Sequence, residues 1–134
     1  MCTAEELKFA KRAATTALPY ADALAGRYAA IATSLRDGRD NEALVALGDS
    51  TDDLEHFLAF LVLIQDAVAA NDPGGEVAVR DYHEHIVGIL EGLQPALGYA
   101  DFVEVADALE DDLVPSLRDY RALDTNIQSA LVTP

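Results

Sequence analysis

The chain has 134 residues, half of them hydrophobic and a quarter charged, with a formal net charge of −15. That length suits one domain whose core is large enough to stand without metal or disulfide staples, and the apolar content excludes disorder over most of the chain. The acidity excludes a phosphate-binding surface, so neither nucleic acid nor an anionic membrane is an expected partner.

Cys2 is the only cysteine, so no internal disulfide can form. The charged N-terminus lacks the apolar core of a signal peptide, and a cytoplasmic protein is expected. From Leu7, positions 7, 10, 14, 17, 21, 24, 28, 31 and 35 read Leu, Ala, Ala, Ala, Ala, Leu, Tyr, Ile and Leu. This three-four spacing is that of an amphipathic helix. Pro19 interrupts it, and proline lacks the N–H that a helix interior requires. The expectation is an N-terminal arm or helix over 1–18 and a bundle helix over 19–37, kinked near Leu18 or restarted at Pro19. Gly38 closes it.

Asp40 is expected to cap a second helix over 40–71, with Leu44, Leu47, Thr51, Leu54, Leu58, Leu61, Gln65 and Val68 along its inner seam. Residues 57–64 are apolar on every side and far too short to span a bilayer. A bundle helix keeps one solvated stripe, and this stretch has none. Phe57, Phe60 and Leu63 are therefore expected at an interface. The arm folding back or a second copy would cover them, and the homodimer is favoured.

Asn71-Asp72-Pro73-Gly74-Gly75 breaks the chain. A third helix follows over 76–97, with Val79, Tyr82, Ile86, Ile89 or Leu90, Leu93 and Leu97 inward and Gly98 as its stop. Asp101-Phe102-Val103-Glu104 has the form of a capping box and opens a fourth helix over 101–123. Its inner positions are Phe102, Ala106, Leu109, Leu113 and Tyr120, and Pro115 should bend it. Beyond Leu123 the periodicity decays, and residues 133–134 are expected to fray. Short connections between long helices predict an all-α, antiparallel up-down-up-down four-helix bundle with an N-terminal helical extension, one domain over 1–134. Leu58, Leu61, Ile86, Leu90, Leu109 and Leu113 should form its core.

Candidates for chemistry are few. His83 and His85 point about 200° apart around one helix and cannot share an ion from one face. Asp53 and His56 form Asp-x-x-His, whereas di-iron bundles repeat Glu-x-x-His on two helices with further inward glutamates. Asp52-Asp53 and Glu110-Asp111-Asp112 lack the glycine and alternating ligands of a calcium loop. No metal or cofactor is expected; His56, Asp53 and His83 are the candidates a metal would use. A phosphorylatable histidine needs cationic neighbours, yet His56 and His83 sit among carboxylates. Ser50, Ser116 and Cys2 have no adjoining base or glycine-rich elbow.

Residues 98–117 combine an Asp101-Phe102-Val103 opening with Ala106-Asp107-Ala108-Leu109-Glu110, Asp112-Leu113 and Pro115. This segment resembles the closing helix of a group of small acidic bacterial proteins without assigned function. The likeness extends over residues 20 to 121 and includes the Gly38 turn and Glu42-Ala43-Leu44. It departs at Asp111, where that group usually has an aromatic residue. The resemblance implies a helical bundle in bacteria and supplies no activity. The expected function is a non-enzymatic, cytoplasmic protein–protein interaction bundle, adaptor or chaperone-like, pairing with itself and an unknown protein. The rival is a metal-dependent or histidine-phosphotransfer bundle using His56 or His83.

Overall fold

A computed structural model describes residues 4–132. Their elements are α1 (Ala4–Arg36), α2 (Asp40–Ala69), α3 (Pro73–Gly98), α4 (Phe102–Ala108) and α5 (Val114–Val132), with a π-helical turn (Leu109–Leu113) joining the last two. No strand occurs among the described residues. The fraying expected at 133–134 lies outside them.

The break expected at Pro19 is absent: α1 runs through it without interruption. Pro19 lies on the exposed side of the helix, as does Thr15, whose carbonyl loses its partner there and turns to water. On the other side, Ala10, Ala14, Ala17, Ala21, Leu24, Tyr28, Ile31 and Leu35 are buried, as the spacing predicts. The helix closes at Gly38 with φ of +79°, a conformation that strains any residue with a Cβ. Gly38 N–H donates to Leu35 O at 3.2 Å and Arg39 N–H to Ser34 O at 2.9 Å, which satisfies two orphan carbonyls.

Asp40 is the first helical residue of α2 rather than its cap; Arg39 holds the cap position without a side-chain bond. The buried stripe of α2 is Ala43, Leu47, Ser50, Leu54, Phe57, Leu61, Ile64, Ala67 and Val68. It is rotated from the expected seam, because a run apolar on all sides carries no phase. Small residues at 43 and 50 set the face that approaches α1. Leu44 is consequently exposed and Leu58 only half-buried.

α3 starts earlier than expected, because Pro73 has the fixed φ of a first helical turn. It buries Val79, Ile86, Leu93 and Ala96 and leaves Leu90 at the edge of the core. Gly98 falls inside α3; the left-handed position is taken by Ala100, with φ of 53°. Asp101 Oδ1 accepts from Glu104 N–H at 3.1 Å, which is the expected cap. Pro115 cannot donate, and its ring would meet the carbonyl four residues back. The turn before it widens, so that Val114 N–H donates to Leu109 O. α5 then continues well past Leu123, burying Ile127, Ala130 and Leu131. Gln128 Nε2 donates to Ala14 O at 3.2 Å and secures its end to α1.

α1 packs on α2, α4 and α5, α2 on α3, and α3 on α4 and α5. Leu61, Ile86, Leu109 and Leu113 are fully buried at the centre.

Candidate functional site

Phe57, expected at an interface, has no exposed surface. Its ring lies edge to face with Tyr120 (centroids 5.2 Å apart) and with Tyr82 (6.4 Å), and the two tyrosine rings are 5.5 Å apart. Burial pushes both phenols well above their ordinary range, with carboxylates nearby adding to the shift, so both keep their protons at neutral pH. This cluster is core. Phe60 is half-buried against Tyr20, edge to face at 5.5 Å. Leu63 faces outward, 46% exposed, beside Val62 at 48%. Of the three residues expected at an interface, Leu63 is half-exposed, Phe60 partly buried and Phe57 wholly buried.

The histidine candidates do not converge. Asp53 is engaged by Arg27 Nη1, which holds its carboxyl below the usual range; His56 is exposed one turn further along. His83 lies half-buried on α3. Among the described residues, no group of three or more His, Cys, Asp or Glu side chains is placed to hold a metal ion. His85 finds the partner that sequence reasoning missed: its Nε2 lies 3.0 Å from Ser116 Oγ, while Tyr82 O–H donates to Ser116 O at 2.8 Å. A base within reach of a hydroxyl is the pairing that a nucleophilic dyad uses. Here the serine lies within a helix and is buried, so the pair ties α3 to α5. Only the i, i+3 placement of Tyr82 and His85 hinted at this.

The acidic clusters are partly neutralised. Arg36 donates from Nε and Nη2 to Glu110 (both 3.0 Å) and from Nη2 to Asp107 (2.8 Å). The fork joins the end of α1 to the π-helical turn and holds the Glu110 carboxyl below its ordinary range. At the start of α3 a recess is lined by Asn71, Asp72, Gly74, Gly75 and Asn126. Asp72 itself fills the mouth of the helix: a Cβ on Gly75 would lie 2.7 Å from its Oδ2.

One feature escaped the sequence. Phe9 is 60% exposed on α1, and Lys8 and Arg12 flank it. No ion pair joins Lys8, Lys11 or Arg12 to another described residue. This cationic, aromatic spot stands apart from an otherwise acidic protein.

A family model described as Domain of unknown function (DUF8042) matches residues 13–123. The chain belongs to that family. No curated protein and no solved structure matches it. The DUF8042 match takes in α2, α3, α4 and the π-helical turn entirely, and most of α1. It therefore includes Leu63, Arg36 and the Phe57 cluster and excludes the Phe9 spot. No helix of the described DUF8042 chain is long and apolar enough to cross a membrane.

Proposed function

We propose that this DUF8042 protein is a non-enzymatic interaction bundle of the bacterial cytoplasm, an adaptor or chaperone-like protein that pairs with itself and with a second protein. Its helices run antiparallel, up-down-up-down. The pairings Tyr20–Phe60 with Arg27–Asp53, and Arg36–Glu110 with Asp22–Arg121, support this, since in each set one partner advances along the chain as the other retreats. The observation that carries the interaction reading is the outward placement of Val62 and Leu63, two half-exposed aliphatic side chains adjacent on α2 of a strongly acidic protein. A solvated helix face gains nothing from them, and a contact surface does.

Light scattering at micromolar concentration tests it. The expected mass is twice the 14.3 kDa of the chain, and Val62→Glu with Leu63→Glu returns it to one chain without loss of helicity. A single-chain mass for the wild type overturns self-association. Stoichiometric heat on titration with zinc, abolished by His56→Ala, would overturn the non-enzymatic reading in favour of a metal-dependent one.

A further inference from the structure

We infer that a second copy docks on the α1–α2 face end for end, laying the cationic Phe9 spot of each copy over the Asp49–Asp52 stretch of the other. This inference rests on the self-association proposed above and specifies its surface.

The residues concerned share one face. Phe9 and Tyr20 are eleven positions apart on α1, three full turns with about 20° left over, so they point the same way. Asp52 and Leu63 bear the same relation on α2. Tyr20 meets Phe60 where the two helices cross the middle of this face, and Leu63 is one turn from Phe60. At 1.5 Å per residue, Phe9 lies about 16 Å from Tyr20 along α1 and Arg12 about 12 Å. In the opposite direction along the bundle, Asp49 lies about 16 Å from Phe60 and Asp52 about 12 Å. The directions are opposite because α2 runs back along α1, as the Arg27–Asp53 pair requires.

A two-fold axis in the plane of this face at the Tyr20–Phe60 level, tilted about 15° from the perpendicular to the helices because α1 and α2 lie roughly 9 Å apart, inverts one copy and crosses each α1 over α2 of the other. It places Phe9 opposite Asp49 and Arg12 opposite Asp52 at matching heights, twice over. Leu63 and Phe60 meet their own copies near the axis, as a self-complementary contact demands. Two molecules of charge −15 repel in almost any other orientation. This one brings cations that have no partner among the described residues onto exposed carboxylates.

A charge-exchange experiment on the full chain tests it. One variant carries Lys8→Glu and Arg12→Glu, the other Asp49→Lys and Asp52→Lys. All four positions are exposed, and circular dichroism checks that both variants fold. Sedimentation should show each variant dimerising at least tenfold more weakly than the wild type, and the equimolar mixture recovering wild-type affinity as a mixed dimer, because both contacts are then complementary. A dimer insensitive to both variants, or a mixture that fails to recover, overturns the docking mode and leaves self-association standing. A wild-type monomer at every concentration overturns both.

Discussion

The ring of Phe57 meets that of Tyr120 edge to face, 5.2 Å between centroids, and joins α2 to α5 across the centre of the bundle. Truncation there removes a fully buried ring and two aromatic contacts. Phe57→Ala should cost about 3–5 kcal/mol in urea denaturation, whereas Leu63→Ala, at a half-exposed site, should cost less than about 1 kcal/mol. Equal costs would mean that α2 is turned differently.

Two neighbouring tyrosines allow a sharper comparison. Tyr82 O–H donates to Ser116 O, while the Tyr120 hydroxyl is buried without a partner among the described residues. Removing one half of a bond strands the other; removing an orphan strands nothing. Tyr82→Phe should lower stability by about 1 kcal/mol, and Tyr120→Phe should be neutral or raise it by up to about 1 kcal/mol. Reversal of that order would place the hydrogen bond on Tyr120.

The inner stripe of α1 was legible from its spacing because alanine, leucine and tyrosine recur there between polar residues. The corresponding stripe of α2 was not. With residues 57–64 apolar throughout, nothing in the pattern separates Phe57 from Phe60 or Leu63, and only contact with α1, α3 and α5 makes the choice. Pro19 misled for another reason: a lost hydrogen bond is inexpensive where the freed carbonyl faces water, and facing is a tertiary property. Past Leu123, the polar side chains of Asp124 and Gln128 masked a helix whose inner residues Ile127, Ala130 and Leu131 are widely spaced. The His85–Ser116 contact joins residues far apart in the chain, and the i, i+3 spacing of Tyr82 and His85 puts the two on one face without naming their partner.

The turn between α3 and α4 holds a residue ill suited to it. Ala100 adopts φ of 53° while its N–H donates to Leu97 O and Asp101 N–H to Ala96 O, the arrangement Gly38 serves after α1. A Cβ in this conformation costs about 1–2 kcal/mol, partly offset by the greater freedom of an unfolded glycine. Ala100→Gly should therefore stabilise by about 0.5–1 kcal/mol, and Gly38→Ala should destabilise by a similar amount. Thermal melts of the pair decide it, and a loss of stability in Ala100→Gly would mean a different turn.

The Arg36 fork makes part of the stability depend on acid. Arg36 holds the Glu110 carboxyl below its ordinary value, chiefly through its two N–H bonds. A group whose folded pKa is depressed contributes stability that is complete above its unfolded value, about 4.3, and that disappears as the pH falls through the folded one. Arg36→Gln removes the contribution. Its urea midpoint should lie below that of the wild type at pH 7, and the gap should narrow below about pH 4 and close in stronger acid. The pair is solvent-exposed, so molar salt at pH 7 should also narrow the gap. A gap independent of both pH and salt would mean that Arg36 supports the π-helical turn by packing its aliphatic stem, with the Glu110 charge irrelevant.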